Sequence, residues 1–192
     1  MFMKNKALIL CIVGAGIMLY AGFQMLWTRY HERVTLNDIQ SSLSQSKGNK
    51  NVPQKPFEPK KGEGFGTLTI PKLKKILPIV EGANPDDLAK GVGHVTGTSF
   101  PTMHDQIVLS GHRDTVFRHV GELKKGDSLI IKLDYGEFKY NIQKMSIVSS
   151  EETSIIHSTK PHEELVLTTC YPFYYIGNAP KRYIIYATPD QE

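Results

Sequence analysis

Cysteine is almost absent from this chain of 192 residues. Of its two cysteines, Cys11 lies inside an apolar N-terminal run and Cys170 stands alone far downstream. No internal disulfide can therefore staple the part of the chain outside that run. There is no Cys-x-x-Cys pair and no His-Glu-x-x-His spacing, which removes a zinc knuckle and the helix of a zinc protease. Long Lys/Arg tracts interleaved with aromatics are missing too, and the formal net charge of +4 includes basic residues flanking the apolar run, so nucleic-acid binding has no support. Internal repeats are also absent. What remains is a chain that must hold itself together by burying apolar side chains, with one thiol outside its apolar run.

That run, Ala7 to Trp27, reads ALILCIVGAGIMLYAGFQMLW. A helix of this length reaches about 30 Å, the thickness of a bilayer core. Lys4 and Lys6 precede it, and Trp27 and Tyr30 suit the far interface. Arg29 and Arg33 complicate the charge balance, but the short positive segment at the start favours a cytoplasmic N-terminus. A cleaved signal peptide is the competing reading. Its apolar core is usually 7–15 residues and ends in small residues, whereas this run is longer and ends in Gln24-Met25-Leu26-Trp27. Residues 1–30 are thus expected to be a cytoplasmic stub and single transmembrane anchor. His31 to about Ser44 can form a polar helix carrying Val34, Leu36, Ile39 and Leu43. The stretch SQSKGNKNVPQKPFEPKKG from Ser44 to Gly62 is polar and proline-rich. Residues 31–62 are therefore expected to be a flexible extracellular tether, and residues 63–192 the folded domain.

Within 63–192 the dominant pattern is short strands broken by turns. Phe65–Pro71 is a strand entering a proline turn, followed by apolar pieces at Leu73–Leu77 and Ile79–Val80. Asn84 can cap one or two helical turns with Pro85 in first position. Gly91–Val95 reads as extended, Asp105–Ser110 as a strand, and Val116–Val120 as a short turn or helix. Ser128–Leu133 and the well-alternating Phe138–Met145 flank a hairpin turn at Asp134–Glu137. Glu151–Glu163 is a polar loop, and the last strands surround Cys170 and Arg182. Seven or eight strands with little helix predict an all-β domain, a closed or nearly closed β-barrel with short helices. A β-sandwich is the alternative.

Three residues stand out at strand ends. Cys170 closes Glu164-Leu165-Val166-Leu167-Thr168-Thr169-Cys170, just before a Pro172 turn. His112 follows Ile107-Val108-Leu109-Ser110-Gly111, and Arg182 opens Arg182-Tyr183-Ile184-Ile185-Tyr186-Ala187. A thiol, an imidazole and a guanidinium are the parts of a nucleophile, a proton carrier and an anion stabiliser. Each also has a plain reading: a buried core cysteine, a surface-loop histidine among His31, His94, His104, His119, His157 and His162, and a solvated arginine. On composition and spacing alone, both readings stay open.

Taken together, LSGHRDT (Leu109–Thr115), LTTCYPF (Leu167–Phe173) and APKRYIIYA (Ala179–Ala187) resemble the sortases, the membrane-anchored cysteine transpeptidases of Gram-positive bacteria. The likeness covers about residues 63–188 and is strongest to class D, with its N-terminal anchor and compact domain. The resemblance implies an eight-stranded sortase β-barrel with catalytic His112, Cys170 and Arg182, and no metal or organic cofactor. It implies cleavage of a Leu-Pro-x-Thr-Gly-like sorting signal after the threonine and transfer of secreted proteins to an amine of the peptidoglycan precursor or of a pilin. Thr169 matches a position that helps hold substrate or arginine. The substrate leucine and proline need an apolar groove, for which Val92, Val95, Ile155, Ile156 and Tyr171 are the candidates. The enzyme is expected to be a monomer in the cell membrane with its catalytic domain outside. An exported cysteine hydrolase without transfer and a non-catalytic envelope-binding barrel are the competing functions.

Overall fold

The computed structural model of the chain describes residues 2–46, 57–174 and 177–190. The apolar run forms one helix, α1 (Phe2–Ser46), which is long and apolar enough to cross a membrane. It does not stop at the charged residues after Trp27. It continues through residues 31–46, where Ile39 and Leu43, one turn apart on the same face, become buried. Gly64 makes this docking possible: a Cβ there would lie 2.7 Å from Ile39 Cδ1. The stretch expected as a tether is thus structured at both ends. Residues 31–46 are helix, and Phe57 packs edge-on against Phe65, Phe100 and Tyr135. Residues 47–56 lie outside the described residues.

Eight strands follow: β1 (Gly64–Ile70), β2 (Lys75–Glu81), β3 (Val92–His94), β4 (Gln106–Gly111), β5 (Ser128–Leu133), β6 (Gly136–Ser149), β7 (Glu164–Tyr171) and β8 (Lys181–Pro189). They close into a barrel in the order β1-β2-β3-β4-β7-β8-β6-β5. Closure rules out the sandwich. The pairs β2/β3 and β4/β7 are parallel and the others antiparallel. The two apolar pieces expected around Pro78 form a single strand. Pairing of β2 with β3 begins only at Ile79, so Pro78 has a strand partner on one side alone, where its missing N–H is tolerated. The short helix α2 (Pro85–Leu88) starts as its sequence dictates: the Asn84 side chain accepts from the Asp87 N–H and Pro85 occupies the first turn.

Alternation sorts the strand residues into two faces. Leu68, Ile79, Ile107, Leu109, Leu129, Ile131, Ile142, Leu165, Leu167 and Ile185 fill the barrel interior. Full burial of each such side chain is worth about 1.5–3 kcal/mol, which is how a domain without disulfides holds together. Val108, Val166 and Ile184 form a separate buried patch on the outer face of β4, β7 and β8, overlaid by Val95, Val148, Ile155 and Tyr186. Two long loops meet beside this patch. From the β6–β7 loop, Glu163 accepts from the Thr102 N–H at 2.8 Å, and the interior phenol of Tyr140 donates to it at 2.7 Å. From the end of the β3–β4 loop, Asp105 accepts from the Thr159 N–H at 2.7 Å and the Ser158 hydroxyl at 3.2 Å. Gln106 completes the stitching, donating to the Ile155 carbonyl and accepting from the His157 N–H.

Candidate active site

Cys170 is the last outward-facing residue of β7. Its register partner on β8 is Arg182. On the opposite flank, β4 and β7 run parallel, and their final rung is Gly111 with Thr169. His112 is one residue beyond that rung, beside Cys170. Directly opposed residues in an antiparallel pair have Cβ atoms about 5 Å apart, and adjacent strands are spaced by about 4.8 Å. The three side chains therefore form one rank across three strands, with the thiol in the middle. Together with Arg113, Asp114, Gly177, Asn178 and Ala179 they line a cavity of about 220 Å³. Cys170 is partly exposed, His112 is exposed and Arg182 is partly buried, so the rank opens to solvent rather than to the barrel interior.

The surroundings hold each member in place. Thr169 is buried with its hydroxyl donating to the Gly111 carbonyl at 2.7 Å. It points inward, away from the cavity, and braces the strand end that carries His112. This differs from the expected contact with substrate or arginine, and alternation is the reason: the residue beside an outward-facing Cys170 faces inward. Arg182 Nη1 donates to the carbonyls of Ala179 and Lys181, which seats the guanidinium against the end of the β7–β8 loop. Arg113, which the motif LSGHRDT contained without marking a role for it, reaches that loop. It donates to the carbonyls of Pro172 at 3.1 Å and Gly177 at 3.1 Å, and its Nε donates to Asp114. The signal for it was only its place next to His112.

The expected groove residues divide. Val95 and Ile155 cover the outer-face patch of Val108, Val166 and Ile184. That patch lies on the same strands and the same face as the rank, so these two sit on the same outer face as Cys170. Val92 does not: it is fully buried and packs in the barrel interior, because β3 turns this residue inward. Tyr171 does not either. It faces opposite to Cys170, meets Phe173 edge-on and stacks with Tyr183, where burial raises the Tyr183 hydroxyl above its ordinary pKa. Ile156 is 45 % exposed and lines a second, larger cavity.

Of the other histidines, His94 is a buried structural group. Its Nδ1 meets Glu81 Oε2 at 2.6 Å, its Nε2 meets the Ser99 carbonyl at 3.0 Å, and its ring stacks on Phe100. His104, His119, His157 and His162 are exposed on loops away from the thiol cavity.

Comparison with known proteins places the chain in a family. A family model described as the sortase domain matches residues 68–190. The chain is 48% identical over 192 residues to sortase D of Bacillus subtilis strain 168, an alignment covering 95% of this chain and 97% of that protein. Among solved structures, a sortase D5 transpeptidase of Clostridium perfringens superposes with a TM-score of 0.71 at 24% identity, covering 84% of this chain and 99% of that one. Sortase E1 of Streptomyces coelicolor, solved with a tripeptide in its active site, superposes with a TM-score of 0.61 at 26% identity, covering 70% and 92%.

Proposed function

The chain belongs to the sortase family of cysteine transpeptidases, and from that premise we propose that Cys170 is the nucleophile, His112 the proton carrier and Arg182 the oxyanion partner. The observation that carries this reading is the single outward-facing rank of the three groups around one cavity. The Cys170 thiolate attacks the carbonyl carbon of the scissile peptide bond. The resulting tetrahedral oxyanion is stabilised by the Arg182 guanidinium. Collapse breaks the C–N bond as protonated His112 delivers its proton to the leaving amine. A thioester to Cys170 remains, and neutral His112 then accepts a proton from the incoming amine as it attacks. That amine displaces sulfur and restores the thiolate.

The substrate is a secreted protein with a C-terminal signal of the Leu-Pro-x-Thr-Gly type, cut after threonine. Its leucine and proline lie against Val95 and Ile155 over the floor of Val108, Val166 and Ile184. The acceptor is an amine of the peptidoglycan precursor. Helix α1 anchors the enzyme as a single pass, with the N-terminus cytoplasmic and the barrel outside as a monomer.

The test is mass spectrometry of the purified chain with a library of sorting peptides and candidate amines. The expected result is a thioester adduct on Cys170, followed by an amine-capped product. Cys170→Ala abolishes both, and His112→Ala and Arg182→Ala each slow turnover by at least about a hundredfold. Near-native rates in both single variants would refute the assignment. Product that does not increase with added amine would make the enzyme a hydrolase instead.

A further inference from the structure

A second cavity, of about 550 Å³, lies between the β3–β4 loop, the β6–β7 loop and the segment at Phe57–Glu58. That volume falls in the range of pockets that bind ligands. Its walls include Phe57, Phe100, Met103, Gln106, Ile156 and Lys160. None of these belongs to the rank around Cys170.

Its position follows from strand geometry. The outward-facing residues of β4 alternate as Gln106, Val108 and Ser110, and the row ends at His112 just past the strand. His112 lines the small cavity and Gln106 the large one. The two are therefore joined by one row of β4, about 20 Å long at about 3.3 Å per residue. The apolar floor lies between them, and the segments that cover the floor run on into the walls of the large cavity. Ile155 packs over the floor while its neighbour Ile156 lines the large cavity, and Val95 packs over the floor while Gly97–Phe100 line the cavity.

The walls are fixed. The bonds of Gln106, Asp105 and Glu163 described above tie the two loops to each other and to the barrel. Within them, Met103 and Ile156 remain 47% and 45% exposed.

We propose that this second cavity is a subsite for the substrate polypeptide upstream of the cleaved bond, taking a bulky apolar side chain roughly five to seven residues before that bond. The inference rests on the transpeptidase reading above. An extended chain held at Cys170 lays its first four residues along Val95 and Ile155, the side chains that overlie the apolar patch. At about 3.3 Å per residue its next residues reach Gln106. There Phe57, Phe100, Met103 and Ile156 offer an apolar lining, while Glu58 and Lys160 keep the mouth polar. The enzyme then reads more of its substrate than the five-residue signal.

The experiment compares two fluorogenic peptides on the full chain in detergent. One holds only the five-residue core signal found by the library screen. The other is extended upstream by six residues, with leucine, phenylalanine or aspartate at the fifth to seventh positions before the cut. Leucine or phenylalanine is expected to raise kcat/KM about tenfold through KM, the scale of one buried apolar side chain, and aspartate is not. Met103→Asp, a change on an exposed loop, removes the gain and leaves the core peptide's rate unchanged. Met103→Leu keeps the gain. Equal rates for both lengths in the unaltered enzyme would overturn the proposal, as would a Met103→Asp loss that falls equally on both. Failure of the unaltered enzyme to cut either length in a Cys170-dependent way would sink the transpeptidase reading, and this subsite with it.

Discussion

Replacing Thr169 by valine removes one hydroxyl and little else. The two side chains have nearly the same shape, the site is buried, and the bond lost is the 2.7 Å donation to the Gly111 carbonyl. Losing a buried partner in this way costs about 1–2 kcal/mol of stability. For a domain of this size that lowers Tm by roughly 3–10 °C. The larger effect is on chemistry. Gly111 precedes His112, and the Gly111–Thr169 rung is the last one holding that strand end beside β7. Misplacement of a reacting group by about 1 Å can cost a hundredfold, so loosening His112, the proposed proton carrier, should lower kcat by roughly tenfold with KM little changed. Thermal melts and steady-state cleavage of a sorting peptide measure the two effects. Thr169→Ser loses a methyl group but keeps the donor. It should melt early as well, yet retain most of kcat. Equal kcat values for the valine and serine variants would refute the reasoning and leave Thr169 as a packing residue.

Three further outcomes follow from the same geometry. Arg113→Ala should free the β7–β8 loop, speed its proteolysis and lower kcat about tenfold or more. Arg113→Lys should recover only part, since one ammonium cannot reproduce the fork to Pro172 and Gly177. The N–H groups of Thr159 and Gln106 hold the Asp105 carboxyl below its ordinary pKa. Its contribution is therefore present above about pH 4 and fades as pH falls through the lowered value, so Asp105→Asn should flatten the fall of Tm below about pH 4. Val92→Ala should cost roughly 2 kcal/mol in melting experiments while leaving KM unaltered, because its side chain fills the barrel and not the groove.

Most of the barrel was legible because its strands alternate. Cys170, His112 and Arg182 were visible as strand-end residues, and their motifs matched in order. Parity was also available at Thr169 and Tyr171: each neighbours an outward-facing cysteine, so each must face inward. Val92 offered no such clue, since glycines on both sides hide which face of β3 it takes. The bonds from Asp105, Gln106 and Glu163 were out of reach for another reason. Their partners on the opposite loop lie 49–61 residues away in the chain, and only the closed barrel brings them together. A helix over residues 31–44 carrying Ile39 and Leu43 was expected; its unbroken continuity with the apolar run and its docking on the barrel were not, because the charged residues at 29–33 interrupt the apolar pattern.

The parallel contact between β4 and β7 also sets a condition on when the enzyme becomes active. Thr169 and Gly111 are separated by 58 positions, and two further strands are made between them. Closing so large a loop is slow and is rewarded only after the intervening hairpin has formed. A chain still folding therefore carries Cys170 without His112 beside it, and the proposed site exists only once the barrel is complete.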